Sequence, residues 1–218
     1  MDISFLPDSR RTWITWLLAL GILLTAVTLF LELAEDVWLN EGFTWDPALM
    51  LAIHHFSRPW LDQLFWLVTE TGGALIMLPV VGTAVWFWWQ NQQKVTWLIL
   101  ASFGGTFALN SLLKLLFARP RPNVFPPLMV ATSYSFPSGH TMSAVAVYGL
   151  LSFLLWQRRR YGWSILVGLW VPLVALSRVY LGVHYPSDVL ASLALGTIWL
   201  VIVWFTKTGR VDQSGRSQ

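Results

Sequence analysis

The run from about Trp13 to Leu33 is apolar and long enough to cross a bilayer, which takes roughly 20 helical residues, and further apolar stretches follow it to the end of the chain. Such segments constrain the fold more than any motif. Backbone polar groups inside lipid must bond within their own segment, and helices do this. The composition agrees: 56% of the 218 residues are hydrophobic and 11% are charged, against about 25% charged in soluble domains. The expected fold is all-α, an integral membrane bundle of six transmembrane helices forming a single domain over residues 1–218.

The spans are read as follows. Arg10 and Arg11 precede the first. A cleaved signal peptide is the rival reading, but its apolar core should be only about 7–15 residues with a small-residue cleavage site, and the Glu32–Asp36 flank lacks one. The acidic segment Glu35 to Pro59 holds Asp46-Pro47 ahead of Ala48–Ile53, which reads as a capped, short, extracytoplasmic amphipathic helix. A second stretch, about Leu61 to Trp89, is broken at Thr69-Glu70-Thr71-Gly72-Gly73 into a lead-in helix, a bend and a span from about Ala74. The third covers about Val95 to Phe117, where Gly104-Gly105 permits close helix packing. The fourth runs from near Ser138 to Arg158, the fifth from about Trp163 to Leu176, and the sixth from about Tyr185 to Phe205.

Six spans put both termini on one side. Arg10, Arg11, Lys94, Arg158, Arg159, Arg160, Lys207, Arg210 and Arg216 fall on that side, which the positive-inside rule makes cytoplasmic. Tryptophans such as Trp13, Trp38, Trp89, Trp163 and Trp204 lie near span ends and read as an interfacial belt. The basic residues form no continuous stripe, so nucleic acid is not an expected partner. The chain has no cysteine, which excludes disulfides and thiolate metal sites.

Cations on the opposite side run against the topological bias, and they accompany histidines. Lys114 and Arg121 are seven residues apart and share a helical face if the third helix runs nearly that far, whereas Arg119 is off that face. Pro137-Ser138-Gly139-His140 opens the fourth span. Ser138 is placed to cap it, with the N–H groups of Gly139 and His140 forming an anion site. His184 and Asp188 are four residues apart, so on a helix they share a face, with Pro186 suited to its first turn and Arg178 a fixed charge nearby. His54 and His55 lack basic partners and read as structural; Glu70 reads as a structural partner of Arg58.

Three cations, a helix N-terminus, two histidines and one carboxylate are the parts that phosphoryl transfer requires. A metal held by His140, His184 and Asp188 is disfavoured by the convergent cations, so no metal or other cofactor is expected. An anion or lipid transporter is the non-enzymatic alternative, but it leaves the carboxylate beside the histidine unexplained.

The order and spacing resemble the tripartite signature of the type 2 phosphatidic acid phosphatase family: Lys114, six residues, Arg121-Pro122; Pro137-Ser138-Gly139-His140; Ser177-Arg178, five residues, His184, three residues, Asp188. The match covers about a third of the chain, within residues 114–188. The family spacing selects Arg121 over Arg119. The resemblance implies a metal-independent lipid phosphatase working through a phosphohistidine. In it His184 would be the nucleophile, Asp188 its orienting partner and His140 the acid and base, while Lys114, Arg121, Ser138, Gly139 and Arg178 hold the phosphoryl oxygens. It further implies a lipid phosphate substrate, such as phosphatidic acid, phosphatidylglycerophosphate or undecaprenyl pyrophosphate. The site would be on the outer face of the inner membrane, with no obligate protein partner. A phosphotransferase of the same family would use the same residues. Head-group choice is assigned to Glu35–Trp60 and Arg119–Phe136. Arg119→Ala is expected to be much milder than Arg121→Ala.

Overall fold

A computed structural model describes residues 12–214, so Arg10, Arg11 and Arg216 lie outside the described residues. The chain is helical throughout, with no strand among the described residues. Five helices are long and apolar enough to cross a membrane, and a sixth span results if the pair Pro59–Glu70 and Ala74–Trp89, bent by 46°, counts as one.

Helix α1 (Thr12–Trp38) outruns its apolar run. Leu33, Ala34 and Val37 pack on Phe136 and Ala191, so burial on one side carries the helix past the acidic residues, and Glu32 and Glu35 stay exposed. Helix α2 (Trp45–His54) follows a turn. It starts earlier than expected. Its N-cap position is Thr44, with no side-chain cap bond, and Asp46 sits in the first turn with its carboxylate committed elsewhere. Helix α3 (Pro59–Glu70) leads through a short 3-10 turn, Ala74–Ile76, into α4 (Met77–Trp89), the bend that the glycines foretell.

Helix α5 (Gln93–Phe117) stops at Ala118, which takes a left-handed φ of 45° and returns its N–H to the Lys114 carbonyl. Pro120 and Pro122 cannot continue a helix. Arg121 therefore comes from the loop, and the shared helical face with Lys114 is not formed. Gly105 is where α5 meets α9 (Pro186–Ser214): a Cβ there would lie 2.0 Å from the Trp199 ring, whereas Gly104 faces open space. The fourth span is α6 (Gly139–Ala144), a π-turn at Val145–Gly149, and α7 (Leu150–Gln157). Helix α8 (Tyr161–Tyr180) is longer than expected at both ends and carries Arg178 in its last turn.

The main core joins α4, α5, the π-turn and α7 through Val80, Ile99, Val147 and Leu150. Up-and-down connectivity brings the C-terminal ends of α5 and α8 to the same end of the bundle as the N-terminal ends of α6 and α9. The turn between α4 and α5, with Lys94 just past it, and Arg158–Arg160 between α7 and α8 lie at the other end. Trp13, Trp38, Trp89 and Trp163 are exposed; the side chain of Trp204 is not among those described.

Candidate active site

The turn from α8 to α9 is set by two helix ends. Tyr180 is the last residue of α8, and Gly182 follows with a φ of +74°. The Val183 N–H reaches the Arg178 carbonyl at 3.2 Å, and the Gly182 N–H reaches Val179 at 3.0 Å. This pair of bonds is a Schellman ending, which favours glycine at that position. At the far side Pro186 is the first residue of α9, and the Asp188 carboxylate reaches back to the Tyr185 N–H at 2.9 Å. That is the returning half of a capping box. His184 therefore precedes α9, and the spacing of four reflects a cap, not a shared helical face.

Asp188 is fully buried. Oδ2 accepts from the Ser135 hydroxyl and the Tyr185 N–H, and Oδ1 accepts from Arg119. His184, 1% exposed, places Nδ1 3.5 Å from both Asp188 Oδ2 and Ser135 Oγ. Its other nitrogen, Nε2, faces Arg121 Nη1 at 3.4 Å. Burial, and then the charges of Arg178, Arg121 and Lys114, hold the imidazole well below its usual titration range. Neutral His184 thus presents Nε2 to a cationic enclosure.

Arg121 is pinned through Nε to the Ser133 carbonyl at 2.7 Å and through Nη1 to the Val183 carbonyl at 2.5 Å. Lys114 Nζ donates to the Tyr134 carbonyl. Arg178 is 2% exposed, and its Nη1 donates to Thr69 Oγ1 at 2.5 Å while Nε has no partner. A buried guanidinium with an unused donor needs an acceptor. Arg178, His184, Arg121 and Lys114 all lie within electrostatic reach of His140, so the three motifs meet in one place.

The Pro137–His140 segment is held from two sides. Asn110 of α5 donates to the Pro137 carbonyl at 3.2 Å, and a Cβ on Gly139 would lie 2.9 Å from Asn110 Oδ1. The Ser138 N–H donates to Ser192 Oγ at 2.6 Å, and Ser192 donates to the Asp188 carbonyl at 2.6 Å. Ser138 occupies the N-cap position as read, but its hydroxyl makes no cap bond and instead accepts from Thr141 at 3.0 Å. The bend glycines back the next residue: a Cβ on Gly73 would stand 2.6 Å from His140 Nε2.

Sequence reading missed several residues here. Arg119, set aside as off the face, pairs with Asp188 and with Asp46 at 3.2 Å. The doubled Arg-Pro, Arg119-Pro120-Arg121-Pro122, was the available signal. Asp46, Ser135, Thr69 and Asn110 carried none, because each acts on residues distant in sequence. Glu70 and Arg58 are not paired; Arg58 instead donates to the Ser57 carbonyl at 2.6 Å. His54 stacks on Phe125 with ring centroids 3.8 Å apart, and Phe125 lies against Gly182 in the turn between Arg178 and His184.

A helical membrane bundle bearing this cluster between its helix ends defines a class, the integral membrane phosphatases that act without a metal. The chain belongs to the PAP2 superfamily, whose description matches residues 95–211. It is 34% identical to phosphatidylglycerophosphatase B of Bacillus subtilis over 186 residues, covering 80% of this chain and 89% of that protein. It is 32% identical to an undecaprenyl-diphosphatase of Bacillus subtilis over 66% of this chain and 73% of the relative. The crystal structure of a transmembrane PAP2-type phosphatidylglycerolphosphate phosphatase from Bacillus subtilis superposes with a TM-score of 0.76 at 30% identity, over 90% of this chain and 98% of that one.

Proposed function

We propose that the protein hydrolyses the terminal phosphate of an amphiphilic lipid through a phosphohistidine on His184. The observation that carries this reading is the enclosure around His184 Nε2: Arg121 stands 3.4 Å away, and Arg178, with its unpartnered Nε, is close by. Nε2 attacks phosphorus, forming an N–P bond as the P–O bond to the leaving oxygen breaks, an ester bond in a phosphomonoester and an anhydride bond in a pyrophosphate. His140 gives its proton to the departing oxygen. In the second step water attacks phosphorus, His140 takes the water proton, and the N–P bond breaks to release phosphate. Asp188 fixes the proton of His184 on Nδ1 and stabilises the positive charge that develops on the ring. Lys114, Arg121, Arg178, the Ser138 hydroxyl and the N–H groups of Gly139 and His140 at the start of α6 neutralise the phosphoryl oxygens.

Phosphatidylglycerophosphate, phosphatidic acid and undecaprenyl pyrophosphate fit this chemistry, and the relatives' names support that substrate class. The site faces outward with both termini cytoplasmic, a reading supported by Arg158–Arg160 lying at the opposite end of the bundle from the catalytic residues and by the positive-inside rule. The test is phosphate release from each lipid by purified protein in detergent micelles, with His184→Ala and His140→Ala as controls. Turnover of at least one lipid, abolished in both variants, supports the reading. Phosphate appearing on an acceptor lipid instead of in solution makes the protein a transferase, and activity in His184→Ala overturns the mechanism.

A further inference from the structure

Behind the proposed nucleophile, two residues that the three motifs do not name, Arg119 and Asp46, build an ion cluster onto Asp188. Arg119 donates through Nη1 to Asp188 Oδ1 and, at 2.9 Å, to Ser187 Oγ, and through Nη2 to Asp46 Oδ2 at 3.2 Å. Asp46 in turn accepts the Ser187 N–H at 2.8 Å and the Ser187 hydroxyl at 2.5 Å. It thereby supplies from α2 the cap acceptor that the first turn of α9 lacks within its own chain segment. The guanidinium of Arg119 lies 4.2 Å from the Tyr185 ring centroid and 5.8 Å from that of Phe43. The side chains are 11% exposed for Arg119 and 1% for Asp46.

A surface pair of this kind would contribute little. This one is enclosed, and it closes on the carboxylate that faces the reacting imidazole. Both Asp188 oxygens are held by donors other than His184, while the His184 contact is 3.5 Å. The position of Asp188 is therefore fixed by its other partners, of which Arg119 is the only cation among its hydrogen-bond partners in the described residues.

We infer that Arg119 and Asp46 are positioning residues for the Asp188–His184 pair, and that α2 is part of the catalytic scaffold. Arg119 fixes one carboxylate oxygen so that the other stays aimed at Nδ1, and Asp46 fixes Arg119 and the start of α9 together. The inference rests on the phosphohistidine reading above.

The test uses the full chain in detergent with a lipid phosphate that the wild type turns over. Arg119→Ala, Arg119→Lys and Asp46→Asn are compared for kcat, KM, melting temperature and the pH dependence of kcat/KM. A misplacement of about 1 Å by a mutation remote from the chemistry can cost about 100-fold, and a loss of up to that size in kcat with KM unchanged is expected for Arg119→Ala. Arg119→Lys should recover part of it. The pH profile separates positioning from bare structure. The charged and titratable groups around His184 are Arg178, Arg121, Lys114, His140, Asp188, Arg119 and Asp46. Removing the Arg119 cation shifts the acid limb to higher pH, and removing the Asp46 anion shifts it to lower pH. Wild-type kcat in Arg119→Ala, or a loss carried by KM with an unmoved acid limb, overturns the inference. If Arg119→Ala does not fold, the Lys and Asn variants decide by the same criteria. Activity in His184→Ala would instead bring down the underlying mechanism, so the two failures are distinct.

Discussion

Arg178 and His184 are joined through the main chain: the Arg178 carbonyl accepts the His184 N–H at 3.3 Å as well as that of Val183. The guanidinium proposed to bind phosphate and the ring proposed as nucleophile are thus two ends of one Schellman turn, and a shift of one is passed to the other. Five intervening residues are what that turn needs to close a helix and turn the next side chain, His184, into the buried cluster.

The turn depends on Gly182. Its φ of +74° is strained for any L side chain, and a Cβ there would stand 2.6 Å from the Phe125 ring. Gly182→Ala is expected to destabilise the protein by at least about 1 kcal/mol and to lower activity with it. Thermal unfolding in detergent alongside phosphate release checks both; an unchanged melting temperature would contradict the turn's role.

Arg178 should resist conservative replacement. Lysine keeps the charge but cannot reach Thr69 and a phosphoryl oxygen with one planar fork. Loss of one charge-assisted bond, about 1.5–3 kcal/mol, predicts roughly a 10–150-fold lower kcat/KM for Arg178→Lys. Steady-state kinetics on the best lipid substrate measures it.

Gly73 gives a way to isolate His140. A methyl at residue 73 would press on Nε2, the nitrogen beside the bend. Gly73→Ala is expected to reduce turnover of alkyl phosphate esters within the range of about 10²–10⁴-fold that general acids supply. It should spare the first step with p-nitrophenyl phosphate, whose leaving group needs no proton. Equal losses on both substrates in single-turnover measurements would contradict that assignment.

His184 also sets a pH dependence of stability. Its folded pKa lies well below the ordinary value, with burial the main cause. Below about pH 6.5 the unfolded chain therefore binds a proton that the folded chain does not, and stability falls as pH decreases. Relative to wild type, His184→Asn should lose less melting temperature between neutral and mildly acidic pH. An identical decline in both proteins would contradict the neutral, buried state of this ring.

The sequence made the spans legible because lipid demands uninterrupted apolar helices, and it exposed the three motifs because each is a local pattern. Its errors share a cause. Trp38 and Tyr180 lie within helices whose ends are set by packing, not by where the apolar run stops. The spacing of His184 and Asp188 fits a helix face and a capping box equally well until the helix start is known. Arg119 was discounted by a helical-face argument that fails once α5 ends at Phe117. Asp46, some 70 residues earlier in the chain, could not be linked to it without tertiary structure.

Locating the phosphate during turnover decides whether His184 is the nucleophile. His140→Ala is expected to form the intermediate from p-nitrophenyl phosphate, which needs no acid, and to accumulate it for want of a base to hydrolyse it. Alkaline quenching preserves phosphohistidine for peptide mapping by mass spectrometry. The phosphate is predicted on His184, and none is predicted in the His140→Ala, His184→Asn double variant. Phosphate on another residue, or none at all together with inversion of configuration at phosphorus in the wild-type reaction, would rule out His184 as the nucleophile.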